Sequence, residues 1–124
     1  MSKILTAREV LEYCLAKKAA CEDLPFGPSP VCAKVGGRIF AQLFASEQGA
    51  KVTLKCEPEL ARLFRAQYPL AVARGWHCPP AQQPYWNTVL IPGVPCEVLL
   101  GMIDHSYERA VGSLTKRARE ALDI

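Results

Sequence analysis

Six cysteines and two histidines are the residues of this 124-residue chain whose types could carry chemistry. Cys14, Cys21, Cys32, Cys56, Cys78 and Cys96 contain no C-x-x-C pair. Structural zinc sites draw their ligands from close pairs at turn spacing, so the spacing argues against zinc and the sequence offers no metal site. A cysteine nucleophile needs a base, and the candidates are His77 and His105. His105 belongs to Asp104-His105-Ser106-Tyr107 inside a predicted helix, where a histidine more often packs than reacts. His77 adjoins Cys78 in a predicted loop, where functional residues concentrate, but adjacent residues rarely point the same way. A cysteine-based redox or hydrolytic enzyme would require Cys78 to have a depressed pKa. There is no G-x-S-x-G elbow, H-E-x-x-H helix or glycine-rich phosphate loop. The sequence reads as non-enzymatic, with no catalytic residue and no cofactor.

Cations are the other candidates for function. Lys and Arg number 15 against 12 Asp and Glu, a net charge of +3. The pI of 8.6 falls short of the value above about 9 that marks many dedicated nucleic-acid binders. Distribution says more than the total. Lys51-Val52-Thr53-Leu54-Lys55-Cys56 alternates, so Lys51, Thr53 and Lys55 share the outer face of a strand while Val52, Leu54 and Cys56 face the core. Arg38 starts the preceding strand. Pairing across Gly36-Gly37 sets Lys34 opposite Ile39 and Val35 opposite Arg38, so Lys34 and Arg38 point to opposite faces and at most one joins the patch. Lys116, Arg117 and Arg119 crowd the start of the last helix, against its dipole. Trp86 either offers a stacking surface for a base or packs into the core. Arg38, Lys51, Lys55, Trp86, Lys116 and Arg117 therefore form the candidate nucleic-acid set, implying weak, salt-dependent DNA binding. The alternative is a pocket for a small ligand or a protein partner made of His77, Trp86, Asn87 and Tyr107.

The elements that must position these residues follow from periodicity. Thr6-Ala7-Arg8-Glu9 is a capping box, and Val10, Leu11, Cys14 and Leu15 continue it as an amphipathic helix over about 6–18. Leu24 to Pro30 holds three prolines and reads as a loop with a buried Phe26. Val31–Val35 and Arg38–Phe44 flank Gly36-Gly37 as a hairpin, and Lys51–Cys56 is a third strand. Pro58 opens a second helix whose inner stripe is Leu60, Leu63 and Phe64. The segment 70–84 is loop-like, with a short strand over 72–76. Tyr85–Ile91 is a strand, 95–111 a third helix and 115–122 a fourth. The order α-β-β-β-α-β-β-α-α implies an α+β fold in which helices pack on one face of an antiparallel sheet. A hydrophobic fraction of 50% and this length suit a single domain over 1–124. No stretch reaches the ~18–20 apolar residues of a membrane span, and the N-terminus has no signal-peptide core. The expected compartment is the cytoplasm, which keeps the cysteines as thiols.

Pro25-Phe26-Gly27-Pro28, Lys34-Val35-Gly36-Gly37-Arg38-Ile39-Phe40-Ala41, Lys55-Cys56-Glu57-Pro58-Glu59-Leu60, Tyr85-Trp86-Asn87-Thr88-Val89 and Asp104-His105-Ser106-Tyr107 resemble, in order and spacing, the MmcQ/YjbR family of small bacterial proteins. The resemblance covers nearly the whole chain. It implies a frataxin-like (CyaY-like) fold and DNA binding, with no catalytic activity. Cys78-Pro79-Pro80-Ala81-Gln82-Gln83-Pro84 departs from the family, which usually carries a polar, often basic segment there, so phosphate contacts through this loop are not expected. Iron, which a frataxin-like fold also raises, lacks its acidic ridge: the first helix offers only Glu9 and Glu12.

Overall fold

The computed structural model describes residues 3–75 and 78–124. At the N-terminus the capping box forms as the sequence requires. Thr6 Oγ1 accepts from the Glu9 amide and the Glu9 carboxylate accepts from the Thr6 amide, both at 3.1 Å. This starts α1 (Ala7–Leu15), which buries Val10 and Cys14, one turn apart. Glu57 likewise caps α2 (Pro58–Gln67), accepting from the Glu59 and Leu60 amides. The longest helix is α3 (Cys96–Gly112), and α4 (Lys116–Leu122) is capped by Thr115.

Six strands follow the order β1-β2-β3-β4-β6-β5 in one sheet, every neighbour antiparallel. They are β1 (Ala20–Asp23), β2 (Val31–Val35), β3 (Arg38–Ser46), β4 (Gly49–Lys55), β5 (Val72–Arg74) and β6 (Trp86–Leu90). The hairpin register is the expected one, with Lys34 opposite Ile39 and Val35 opposite Arg38. Gly36 and Gly37 both take positive φ, +57° and +80°, as a type I′ turn demands. A side chain at Gly36 would also meet Leu114 at 2.7 Å and Leu122 of α4 at 3.2 Å, so α4 sits against the hairpin tip.

The structure corrects several sequence expectations. The described residues form six strands where periodicity gives five, because β1 reads Ala-Cys-Glu-Asp, with no apolar alternation. As an edge strand it takes its ladder from β2 and an ion pair from Lys34 to Asp23 at 2.7 Å. Leu63 is exposed (59%), and the α2 face against the sheet is centred on Ala61 and Phe64. Phe26 is 65% exposed rather than buried, since its loop lies on the sheet face away from the helices. The short strand expected over 72–76 ends at Arg74; its last residue, Trp76, lies outside the described residues.

One face of the sheet carries the core. Ala33, Val35, Phe40, Leu43, Val52, Leu54, Val72 and Val89 pack against Val10 and Cys14 of α1 and Leu99, Met102, Ile103 and Ala110 of α3. Each large apolar side chain buried there contributes roughly 1.5–3 kcal/mol. The opposite face carries Cys32, Gln42, Lys51, Thr53, Lys55, Trp86 and Thr88, because cross-strand partners share a face. Cys32, Thr53 and Thr88 are nonetheless buried, and the Thr53 and Thr88 hydroxyls lie 2.8 Å apart. Thr53, expected in solvent between Lys51 and Lys55, is only 1% exposed. The outer face is therefore covered at its middle.

Candidate nucleic-acid interface

The β3–β4 ladder ends at the Ala41–Leu54 pair. The next rung would join Phe40 to Lys55, and there the Ser106 hydroxyl of α3 stands between the strands. Ser106 Oγ accepts from the Lys55 amide at 2.8 Å and donates to the Phe40 carbonyl at 2.5 Å. Its neighbours on α3 are engaged in the same way. Asp104 accepts from the Tyr13 hydroxyl at 2.7 Å and pairs with the Lys17 ammonium at 2.5 Å. His105 Nε2 accepts the Glu57 amide at 3.0 Å, fixing the β4–α2 junction and placing the ring proton on Nδ1. The Tyr107 hydroxyl donates to the Lys18 carbonyl at 2.6 Å, and its ring meets Phe40 edge-on with centroids 5.4 Å apart. All four residues tie α3 to α1, β3 and β4. Burial alone would raise the Asp104 carboxyl, but hydrogen bonds from Lys17 and Tyr13 outweigh it and hold the acid below its ordinary value.

One turn further along α3 the chemistry changes. Arg109 and Ser113 border a hollow of about 270 Å³ with Lys55, Gln82, Tyr85 and Trp86. The Lys55 ammonium lies 5.5 Å from the Trp86 ring centroid, a cation–π distance. Burial pushes the Lys55 pKa down, and Arg38 and then Arg109 push it further by repulsion. The fields of Arg38 and Arg109 thus both reach Lys55 where β4 ends. Among the described residues none of the three has an ion pair. Glu57, the acid whose field reaches Arg109, spends its carboxylate on the α2 cap.

The remaining sequence-predicted residues are dispersed. Lys51 shares the outer face with Lys55 but sits four residues away, on the order of 13 Å along the strand, beside Pro69, Leu70 and Leu90. The Lys116 ammonium is 3.9 Å from Glu120 on its own helix, and Arg117 is exposed. Of the pocket expected from His77, Trp86, Asn87 and Tyr107, the structure does not bring the three described residues together. Asn87 lies opposite Leu54, on the core face, where Nδ2 donates to the Ala61 carbonyl at 3.1 Å and Oδ1 accepts from Arg65 at 2.7 Å. Trp86, one residue earlier, is on the other face. Tyr107 is bound to the end of α1, and His77 lies outside the described residues. The pleat forces the separation: consecutive strand residues cannot share a site.

Cysteine chemistry fares no better. Burial pushes the Cys78 thiol up, the opposite of nucleophile activation. Cys14 and Cys56 are pushed up to about 12 and about 11 by the same cause. Cys21 is exposed and Cys96 half-buried. Arg109 is the cation that sequence reasoning missed. Its signal was present: it lies three residues after Ser106, on the same helical face.

A YjbR family profile matches residues 15–109. The chain belongs to the YjbR family. It is 33% identical over 119 residues to the protein described as "Uncharacterized protein YjbR" in Escherichia coli K12, covering 95% of this chain and 98% of that protein. The O157:H7 counterpart matches equally. Among solved structures, a Deinococcus radiodurans protein with a DUF419 domain superposes with a TM-score of 0.87 at 25% identity, over 100% of this chain and 93% of that one. A Pseudomonas syringae protein shares the fold with a TM-score of 0.71 at 19% identity, covering 86% of this chain and 99% of its own. The α+β architecture, with its open six-stranded antiparallel sheet, is thus that of this family. Among the described residues no helix is long and apolar enough to cross a membrane.

Proposed function

We propose that this YjbR-family chain is a non-enzymatic DNA-binding module built as one frataxin-like (CyaY-like) domain over residues 1–124. The observation that carries the reading is Lys55 and Arg109 at one hollow, within the field of Arg38 and without ion-pair partners among the described residues, beside the half-buried Trp86. Half-buried Lys55 keeps its charge against desolvation and against repulsion from the exposed Arg38 and Arg109, which raises the folded state's free energy. A phosphate placed among them relieves that repulsion and gains charge-assisted hydrogen bonds. Lys51, Lys116 and Arg117 stand farther off and supply at most a diffuse field. Six free thiols suit a cytoplasmic setting.

The test is a titration of a short fluorescent DNA duplex by anisotropy over a range of salt. Three neutralised phosphates give a slope of about −3 in log affinity against log salt, near −0.9 for each contact. Arg38→Ala, Lys55→Ala and Arg109→Ala should each flatten the slope by about one contact. No binding at low salt, or binding indifferent to salt, refutes the proposal.

A further inference from the structure

We propose that the groove adjoining the cationic hollow receives an unstacked nucleobase, so that the preferred partner is single-stranded DNA; this rests on the DNA-binding reading and deepens it. The groove has a volume of about 520 Å³ over the outer face of the sheet. The loop after β1 gives one wall through Phe26 and Pro30, and the loop before β6 gives the other through Pro79 and Gln82. Gln42 of β3 also lines it. Trp86 and Gln82 border both this groove and the hollow that holds Lys55 and Arg109. A ring seated in the groove therefore keeps its own phosphate linkage within the cationic hollow.

The lining matches a base in chemistry as well as size. Phe26 is a flat aromatic surface, on which bases stack regardless of sequence, and Pro79 adds apolar surface on the other wall. The carboxamides of Gln42 and Gln82 each offer donors and an acceptor, as the edges of an unpaired base require. Phe26 stands 65% exposed at the rim, and covering that ring with a base removes apolar surface from water. A duplex keeps its bases stacked and paired, and presents none to a groove between two loops. The uncharged, proline-rich segment 78–84 thereby gains a role that phosphate contact did not give it.

The experiment compares three labelled ligands at one salt concentration: a thymidine oligonucleotide, its duplex with the complement, and the same strand with abasic sites. The intact single strand should bind about tenfold or more tighter than the other two, within the range that base stacking contributes. Phe26→Ala, at an exposed position that does not hold the core, should bring the single strand down to the duplex level and leave duplex affinity unchanged. Equal affinity for all three ligands overturns the inference while the DNA-binding reading stands. A single-strand preference that survives Phe26→Ala overturns the groove assignment. Absence of binding to every ligand overturns both.

Discussion

Two successive turns of α3 make opposite use of polar side chains. Over Asp104 to Tyr107 each of the four residues has its partner, and each partner lies on another element. Two residues past Tyr107, Arg109 meets Lys55 with repulsion in place of pairing. The first turn holds the fold together; the second leaves charge unsatisfied at a surface hollow. An Asp, a His and a Ser in sequence resemble a catalytic set, yet here a helix turn spreads them onto a helix, a strand end and a helix cap. Concentrated reactive residue types are therefore poor evidence of a site until their hydrogen bonds are accounted for. Unpartnered charge beside them is better evidence.

The comparison breaks first on stability. Ser106→Ala leaves the Lys55 amide and the Phe40 carbonyl without their shared hydroxyl in a fully buried position. We expect a loss of roughly 2–4 kcal/mol, a fall in Tm of roughly 10 °C, measured by calorimetry or denaturant titration. DNA affinity per folded molecule should hold. If Ser106→Ala is as stable as the parent, the first turn is not the structural clamp that its bonds imply.

Arg109→Ala is the mirror experiment. It removes one of the two cations that repel Lys55, so stability should hold or rise slightly. DNA affinity should fall about tenfold or more at low salt, in line with the ~1.5–3 kcal/mol of a hydrogen bond to a charged group. A variant that loses stability but keeps affinity would reverse the roles of the two turns.

The two turns should also separate in pH. Asp104 is held below its ordinary value of 3.8. Its contribution to stability is therefore complete above that value and is lost as pH falls through the depressed one. Asp104→Asn should flatten that acid limb in a denaturation series. Lys17, raised above 10.5 chiefly by its hydrogen bond to Asp104, adds stability below that value and loses it as pH rises beyond. Lys55 is pushed the other way, below 10.5, by burial first. DNA affinity should therefore start to decline at a pH below the ordinary lysine range, and Lys55→Ala should abolish that decline. Affinity that stays constant up to the ordinary lysine range would remove Lys55 from the contact.

Much of this contrast was legible in the sequence as elements, and little of it as sites. The α1 capping box, the glycine turn with its register and the pattern of Val52, Leu54 and Cys56 are local, and local rules found them. The edge strand at 20–23 escaped because its composition follows from pairing rather than from burial. Asn87 escaped as a core residue because its partners, Ala61 and Arg65, lie on a helix more than twenty positions earlier. Phe26 is a large apolar side chain among prolines, with no periodicity to reveal that its loop covers the outer face. Arg38, Lys55 and Trp86 carried a recognisable charge and ring. Their meeting with Arg109 depends on where α3 crosses the end of β4, which no local pattern encodes.

The smallest predicted effect is the sharpest on this last point. Lys51 and Lys55 share a strand and a face, and sequence periodicity treats them as equivalent. In the structure, buried Thr53 lies between them, and only Lys55 has Arg38, Arg109 and Trp86 for neighbours. Charges more than about 10 Å apart at the surface are largely screened at moderate salt. Lys51→Ala should therefore change DNA affinity less than twofold at moderate salt and leave the salt slope within about half a contact of the parent. Lys55→Ala should cost a full contact in the same titration. If the two variants behave alike, binding follows the strand's alternation, a flat cationic stripe rather than a built hollow, and Arg109 loses its place in the contact.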